Sequence, residues 1–290
     1  MIVYSLKLLL CVFGVGVGTM LGGMLSAGLG LQRPQMPPGL DMRLLGLWTT
    51  VAGLGMSIGL AEIARRITGG KWVRWFTLAW FTYTCMGINN TIEALTFTSI
   101  GGGAFMAVSW LPTSFLLGGL AALLFRGQEQ EPRPLGAHFF ANLSLRNWPL
   151  RLAGAWFAFP AVYIFFGIPV GLIFQRTYQD EAFGLRLPSV GVVIGVQVLR
   201  STLFLLGSLP ILAVWSGGRR RFWVVFGLAM FLVVGFFGLV QAYWMPWAMR
   251  GLHSFEILLD SLAYAWLLGV LLLRRPGAEE AGRPASSAEP

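Results

Sequence analysis

Eight runs of mostly apolar residues recur along the chain, at approximately residues 8–30, 43–64, 72–98, 103–125, 150–175, 188–214, 222–246 and 252–273. At a rise of about 1.5 Å per residue, a helix of roughly twenty residues crosses the hydrocarbon core of a bilayer. Lipid offers no partner for backbone N–H and C=O groups, so such runs must close their hydrogen bonds internally. The chain therefore reads as an all-α polytopic membrane protein with about eight transmembrane helices. Polar stretches are confined to residues 127–148 and the tail after Arg275, and only 11% of the residues are charged. That leaves no room for a nucleotide-binding or extramembrane catalytic domain.

Four organisational units follow: transmembrane helices 1–4 in residues 1–126, a cytoplasmic linker at 127–148, helices 5–8 in 149–275, and a disordered cytoplasmic tail at 276–290. The second half of the linker, with Phe139, Phe140, Leu143 and Leu145, has the pattern of an interfacial amphipathic helix. The N-terminal run resembles a signal peptide in carrying Lys7 ahead of apolar residues, but it is too long and is expected to stay as the first span.

The formal charge of +9 would suggest nucleic acid in a soluble protein. Here the basic residues sit in short loops, and no nucleic-acid partner is expected. Lys7, Arg65, Arg66, Lys71, Arg74, Arg126, Arg133, Arg146, Arg151, Arg219, Arg220, Arg221, Arg274, Arg275 and Arg283 fall on one side, fifteen of twenty-one. The positive-inside rule puts that side, and with it both termini, in the cytoplasm. Trp72, Trp75, Trp148, Trp215 and Trp223 would mark the cytoplasmic interface, and Trp244 and Trp247 the outer one. The compact, short-looped plan points to the cytoplasmic (inner) membrane of a bacterium.

Four runs before the linker and four after it suggest a 4+4 pseudo-repeat with both halves in the same orientation. "GGKWVRWFTLAWF" at 69–81 echoes "GGRRRFWVVFGLAMF" at 217–231, and "LKLLLCVF" at 6–13 echoes "LRLAGAWF" at 150–157. Gly14, Gly18, Gly22, Ser26 and Gly30 recur every four residues, a small-residue stripe that lets another helix approach closely. Gly55 with Gly59 and Gly167 with Gly171 repeat the motif.

Function should reside in the embedded polar residues, because a charge at the centre of a bilayer-spanning helix costs about 2.5–3.5 kcal/mol on insertion scales and so faces a partner or a cavity. In the last run His253, Glu256, Asp260 and Tyr264 share one helical face. The third run carries a stripe of Thr82, Cys85, Asn89, Glu93 and Thr96, with Asn90 beside it, and the sixth adds Gln197, Arg200, Ser201 and Ser208. From the helical rise, Glu93, Asp260 and Arg200 lie roughly 8–10, 12 and 18 Å below the outer surface. The candidate proton- or substrate-binding residues are therefore Asn89, Asn90, Glu93, Gln197, Arg200, His253, Glu256 and Asp260. One arginine cannot neutralise three carboxylates, so the expected pocket in the outer half takes a proton, a cation or a small charged solute, as in a transporter or permease.

Other readings stand beside it. Acids in the first turn of a helix stabilise its N-terminus, which would cover Glu256 but covers Asp260 poorly and Arg200 not at all. His253, Glu256, Asp260 and Glu93 could ligate a divalent ion, but a paired-histidine motif is absent and His138 lies in the linker; no metal or cofactor is expected. Cys85, His253 and Arg200 have the residue types of a thiol enzyme. An intramembrane enzyme acting on a lipid or lipid-linked substrate, and a non-catalytic subunit with a membrane partner, are the alternatives from other classes. Glu62, followed by Arg65 and Arg66, reads as a local ion pair.

Overall fold

The computed structural model describes residues 2–35, 40–125, 127, 147–179 and 182–273. The linker's amphipathic segment and the 276–290 tail lie outside these residues. Eight long helices account for nearly all of them: α1 (Ile2–Gly28), α2 (Met42–Ala64), α3 (Lys71–Thr82, a π turn Tyr83–Ile88, then Asn89–Phe97), α4 (Gly103–Leu124), α5 (Trp148–Ile173), α6 (Val190–Val214), α7 (Arg219–Phe231, a π turn Leu232–Phe236, then Phe237–Gln241) and α8 (Trp247–Leu272). A short helix, Gln175–Gln179, and a 3-10 turn, Ala182–Gly184, connect α5 to α6. Seven of the eight are long and apolar enough to cross a membrane. The exception, α3, is as long as the others but carries Lys71, Arg74, Asn89, Asn90 and Glu93 among five threonines.

Two boundaries differ from the sequence expectation, and both matter. Helix α8 begins at Trp247 rather than near residue 252, directly after Pro246, whose fixed φ suits a helix start. Helix α7 ends at Gln241, five residues early, where the chain turns through Ala242–Met245.

One end of the bundle gathers the basic loops. There Tyr4 of α1 bonds Glu62 and packs edge-on against Phe125, Ser216 bonds the Arg66 carbonyl, and Arg219 donates to Leu273 O. The start of α1 and the end of α8 thus lie at this basic end, together with Trp72, Trp148 and Trp215. Glu62 pairs with Arg65 at 3.2 Å and Arg66 at 2.5 Å, the local ion pair its spacing predicts.

The packing partners repeat. Helix α4 packs on α1 and α3, and α8 packs on α5 and α7; α2 lies against α7, and α6 against α3. Between the halves at the basic end, Ile67 and Trp215 form an isolated antiparallel bridge. Thr68 N donates to Val214 O at 2.8 Å and Ser216 N to Arg66 O at 2.9 Å. Each of these bonds becomes the other when 148 is added to or taken from its residue numbers. At the same spacing α2 and α6 begin (42 and 190), α3 and α7 begin (71 and 219) and α4 and α8 end (124 and 272). Both α3 and α7 are interrupted by a π turn, and the two turns end at residues in this register, 88 and 236.

Small residues seat the helices where the stripe predicts. On α1, a Cβ at Gly18 would lie 2.5 Å from Thr113 Cα of α4; Gly22 meets the Ser109 backbone still more closely, and Ser26 Oγ donates to Phe105 O. Gly55 and Gly59 face Phe236 and Ala229 of α7. The stripe overreaches at two positions. Gly30 sits in the turn beyond α1 and Gly171 faces open space.

Candidate functional site

Arg200, the eleventh residue of α6, lies inside the bundle with only 6% of its surface exposed. Its Nη2 meets Glu93 Oε1 of α3 at 2.5 Å, its Nε donates to Asn89 Oδ1 at 2.8 Å, and its Nη1 donates to Gln197 Oε1 at 3.2 Å. The rings of Phe159 and Tyr163 on α5 and Phe204 on α6 stand 5.2–5.5 Å from the guanidinium carbon. Each of the three guanidinium nitrogens thus has a polar partner, with aromatic rings beside them, as a buried guanidinium requires.

Helix direction explains how residues at different depths meet. Side chains lean towards their own helix N-terminus. Helix α6 starts at the end opposite the basic loops, so Arg200 leans that way; α3 starts at the basic end, so Glu93 leans inward to meet it. The π turn sets the rotation of Asn89 and Glu93, because one extra residue turns everything beyond it by about 100°. Within the turn region Thr82 and Thr84 return their hydroxyls to Leu78 O and Trp80 O. The last carbonyls of α3 are held by Arg186, whose Nε donates to Thr96 O at 3.0 Å while another of its nitrogens bonds Leu95 O.

A second polar group lies on α8 against α5. His253 Nδ1 is 2.8 Å from Glu256 Oε2, and His253 Nε2 is 3.1 Å from the Tyr178 hydroxyl. Phe174 stacks on the imidazole at 5.8 Å. Burial pushes the Tyr178 phenol well above its usual value, helped by the negative charges of Glu256 and Glu93 and by Tyr163. With His253 as the Nδ1–H tautomer, the Tyr178 hydroxyl donates to Nε2 and Nδ1–H donates to Glu256 Oε2. Gly167 makes room for this carboxylate: a Cβ there would stand 2.9 Å from Glu256 Oε1.

Asp260, one turn further along α8, is 6% exposed, and its Oδ1 has no hydrogen-bond partner among the described residues. The same holds for Gln197 Nε2 and the Tyr264 hydroxyl. Asp260 is within electrostatic reach of Glu256 and Arg200. Tyr163 is within reach of Arg200, Glu256, Glu93 and Asp260 together. The structure thus gathers the eight sequence candidates: Asn89, Glu93, Gln197 and Arg200 as one bonded group, with Asn90 at its edge accepting from Asn89 Nδ2 at 3.4 Å, His253 and Glu256 as another, and Asp260 near both. The Asn90 amide nitrogen faces Gly238 of α7, 3.9 Å from where a Cβ there would lie.

Two expectations are corrected by the early start of α8. His253 and Glu256 are six and nine residues into the helix, so stabilisation of a helix N-terminus does not account for them. Asp260 lies roughly 20 Å along a helix of roughly 39 Å, at its middle rather than near its outer end. Cys85 Sγ faces Gly207 of α6 and Thr84, while the His253 ring is engaged by Tyr178 and Glu256, so a Cys–His nucleophile pair is not assembled. Among the described residues no three His, Cys, Asp or Glu side chains are grouped as metal ligands.

Sequence reading missed the contribution of α5. Phe159, Tyr163 and Gly167 recur every four residues and face the site as one stripe, a periodicity visible in the sequence but hidden in a helix that is apolar all round. Tyr178, in a connecting segment, carried no comparable signal. Compared with known proteins, the chain matches no family model, no curated protein and no solved structure.

Proposed function

We propose that this is a transporter-like or permease-like membrane protein whose polar site handles a proton, a cation or a small charged solute. The observation that carries the reading is that Glu93 pairs with Arg200 between α3 and α6, while Asp260 of α8, within electrostatic reach of Arg200 and Glu256, keeps a buried carboxylate oxygen without a donor among the described residues. Buried ionisable groups of both signs, near the middle of a bundle of helices seated on small residues, are what coupled transport asks of a membrane protein.

The same proposal extends to architecture. All eight helices cross the membrane, α3 included, because its polar residues face other helices rather than lipid. The chain is a 4+4 repeat of same-orientation halves, supported by the reciprocal bonds at residues 66–68 and 214–216. The basic end is cytoplasmic, so both termini are inside, in the inner membrane of a bacterium.

The test is flux. In proteoliposomes with an internal pH dye, gradients of protons or small cations should drive a flux through the wild type that Asp260→Asn removes. Turnover of a reconstituted lipid without ion flux, lost in the same variant, would assign an enzyme instead. If neither flux nor turnover is seen and only capture of a membrane partner depends on the chain, the subunit reading stands and the transport reading falls.

A further inference from the structure

The two polar groups at the site differ in what they leave free. In the Arg200 group the guanidinium itself is committed to one carboxylate, two amide oxygens and three rings, although the Glu93 side chain is 34% exposed and Gln197 Nε2 has no partner among the described residues. The α8 group is open at both ends. At one end the His253 side chain is 19% exposed and bonded to Tyr178, which belongs to the connection beyond α5. At the other, Glu256 leads one turn inward to Asp260, with its unpartnered buried oxygen. Between them the bonds run without a break from Tyr178 O–H to His253 Nε2, and from Nδ1–H to Glu256 Oε2.

We propose that the ion handled is the proton, and that Tyr178, His253 and Glu256 form its relay from the end opposite the basic loops to Asp260. The inference rests on the transport reading above and narrows it. A metal cation would need about six or more oxygen ligands for calcium, or an octahedral set for magnesium. Among the described residues no three His, Cys, Asp or Glu side chains are grouped as such a set. A proton needs one carboxylate oxygen. Uptake requires no other reactant: a proton from water binds at the Tyr178–His253 end, His253 passes the hydrogen on Nδ1 to Glu256 Oε2, and the imidazole regains a hydrogen at Nε2, so charge and hydrogens balance. Transfer from Glu256 to Asp260 then takes a side-chain rotation across one helical turn.

Every element packed around the pair bears on its charge. Helix α6 contributes Arg200, α3 contributes Glu93, α5 contributes Tyr163 and the segment beyond it Tyr178, and α8 itself His253 and Tyr264. Helix α7 faces α8 with Gly227 and Gly235, which carry no charge. Arg200 is the fixed strut of this arrangement and Asp260 the carrier.

Infrared difference spectra after a downward pH jump, recorded on the full chain in nanodiscs, test this without any flux measurement. The wild type should gain a protonated-carboxyl band that Asp260→Asn diminishes. His253→Asn and Tyr178→Phe should keep its amplitude but slow its rise about 10- to 100-fold, the range that a positioned proton-transfer group supplies. Should Asp260→Asn not fold, Glu256→Gln serves the same comparison. A band unchanged in both carboxylate variants overturns the carrier, and a rise unchanged in both His253→Asn and Tyr178→Phe overturns the relay. If the band behaves as expected while proteoliposomes show no flux, the transport reading fails and the relay stands; flux without the band does the reverse.

Discussion

At an offset of 148 Thr49 matches Gln197 and Gln241 matches Glu93, so the α2–α7 and α3–α6 contacts are counterparts, and the two have become different things. Gln241 of α7 donates to Thr49 of α2 at 2.7 Å, a neutral bond between uncharged side chains. In the counterpart between α3 and α6, the glutamine is Glu93, the threonine is Gln197, and Arg200 stands where α2 has the buried Ala52. Along α4 the positions matching His253, Glu256, Asp260 and Tyr264 are Phe105, Val108, Pro112 and Leu116. Helix α4 meets α1 through glycines, whereas α8 meets α5 through a carboxylate and aromatic rings. One framework thus carries a side built to pack, where α4 meets α1 and α2 meets α7, and a side built to hold charge, where α3 meets α6 and α8 meets α5.

The sharpest break in this comparison is at Arg200. Replacing it with Met strands Glu93 and removes the cation nearest Asp260, and should lower stability by about 3 kcal/mol, the low end for removing one partner of a buried pair because Glu93 keeps some solvent contact. Unfolding in detergent measures it, and the double variant Arg200→Met with Glu93→Gln should recover most of the loss. A neutral single variant would mean that the ion pair does not hold α3 to α6.

Next comes the packing half. Gly22→Val should cost about 1–3 kcal/mol by overpacking α1 against α4, while Gly16→Val and Gly23→Val, which face open space, should unfold at the wild-type temperature. Equal effects at all three positions would remove the stripe as the reason. In the charged half, Gly167→Val should crowd Glu256 and alter the carboxyl band more than it alters stability.

The neutral pair should matter least. Gln241→Leu is expected to cost about 0.6 kcal/mol, the average of side-chain hydrogen bonds between membrane helices, and to leave proton uptake unchanged. Losing uptake there would mean that both halves carry the chemistry. Finally, cysteines at Ile67 and Trp215, in a chain lacking Cys11 and Cys85, should form a disulfide, since a bridge position brings Cα atoms within disulfide range, at some cost in stability from the two buried side chains removed. Failure to crosslink in native membranes would count against the axis that relates the halves.

Much of this was legible beforehand. That the chain is a bundle of long apolar helices followed from apolar run length, the glycine stripe on α1 found α4, and the pairing of Glu62 with Arg65 and Arg66 needed only i+3 and i+4 spacing. The echo that begins at residues 69 and 217 has the same offset of 148 as the starts of α3 and α7. The candidate residues could be drawn together by asking which embedded charges need partners. What escaped was non-local or broke period: the π turns that rotate Asn89 and Glu93, the turn of Asn90 towards α7, the start of α8 at Trp247, and the wall that α5 supplies.

By itself the sequence determined that the chain must solve its hydrogen bonds as helices in lipid and that its basic loops share one end, because run length and charge are properties of the chain read in order. Only the tertiary structure decided that Arg200 is closed off by Glu93, Asn89, Gln197 and three rings while Asp260 is left with an open oxygen. Satisfying a buried charge is a matter of which side chains arrive from other helices, and that depends on rotation and depth set by packing.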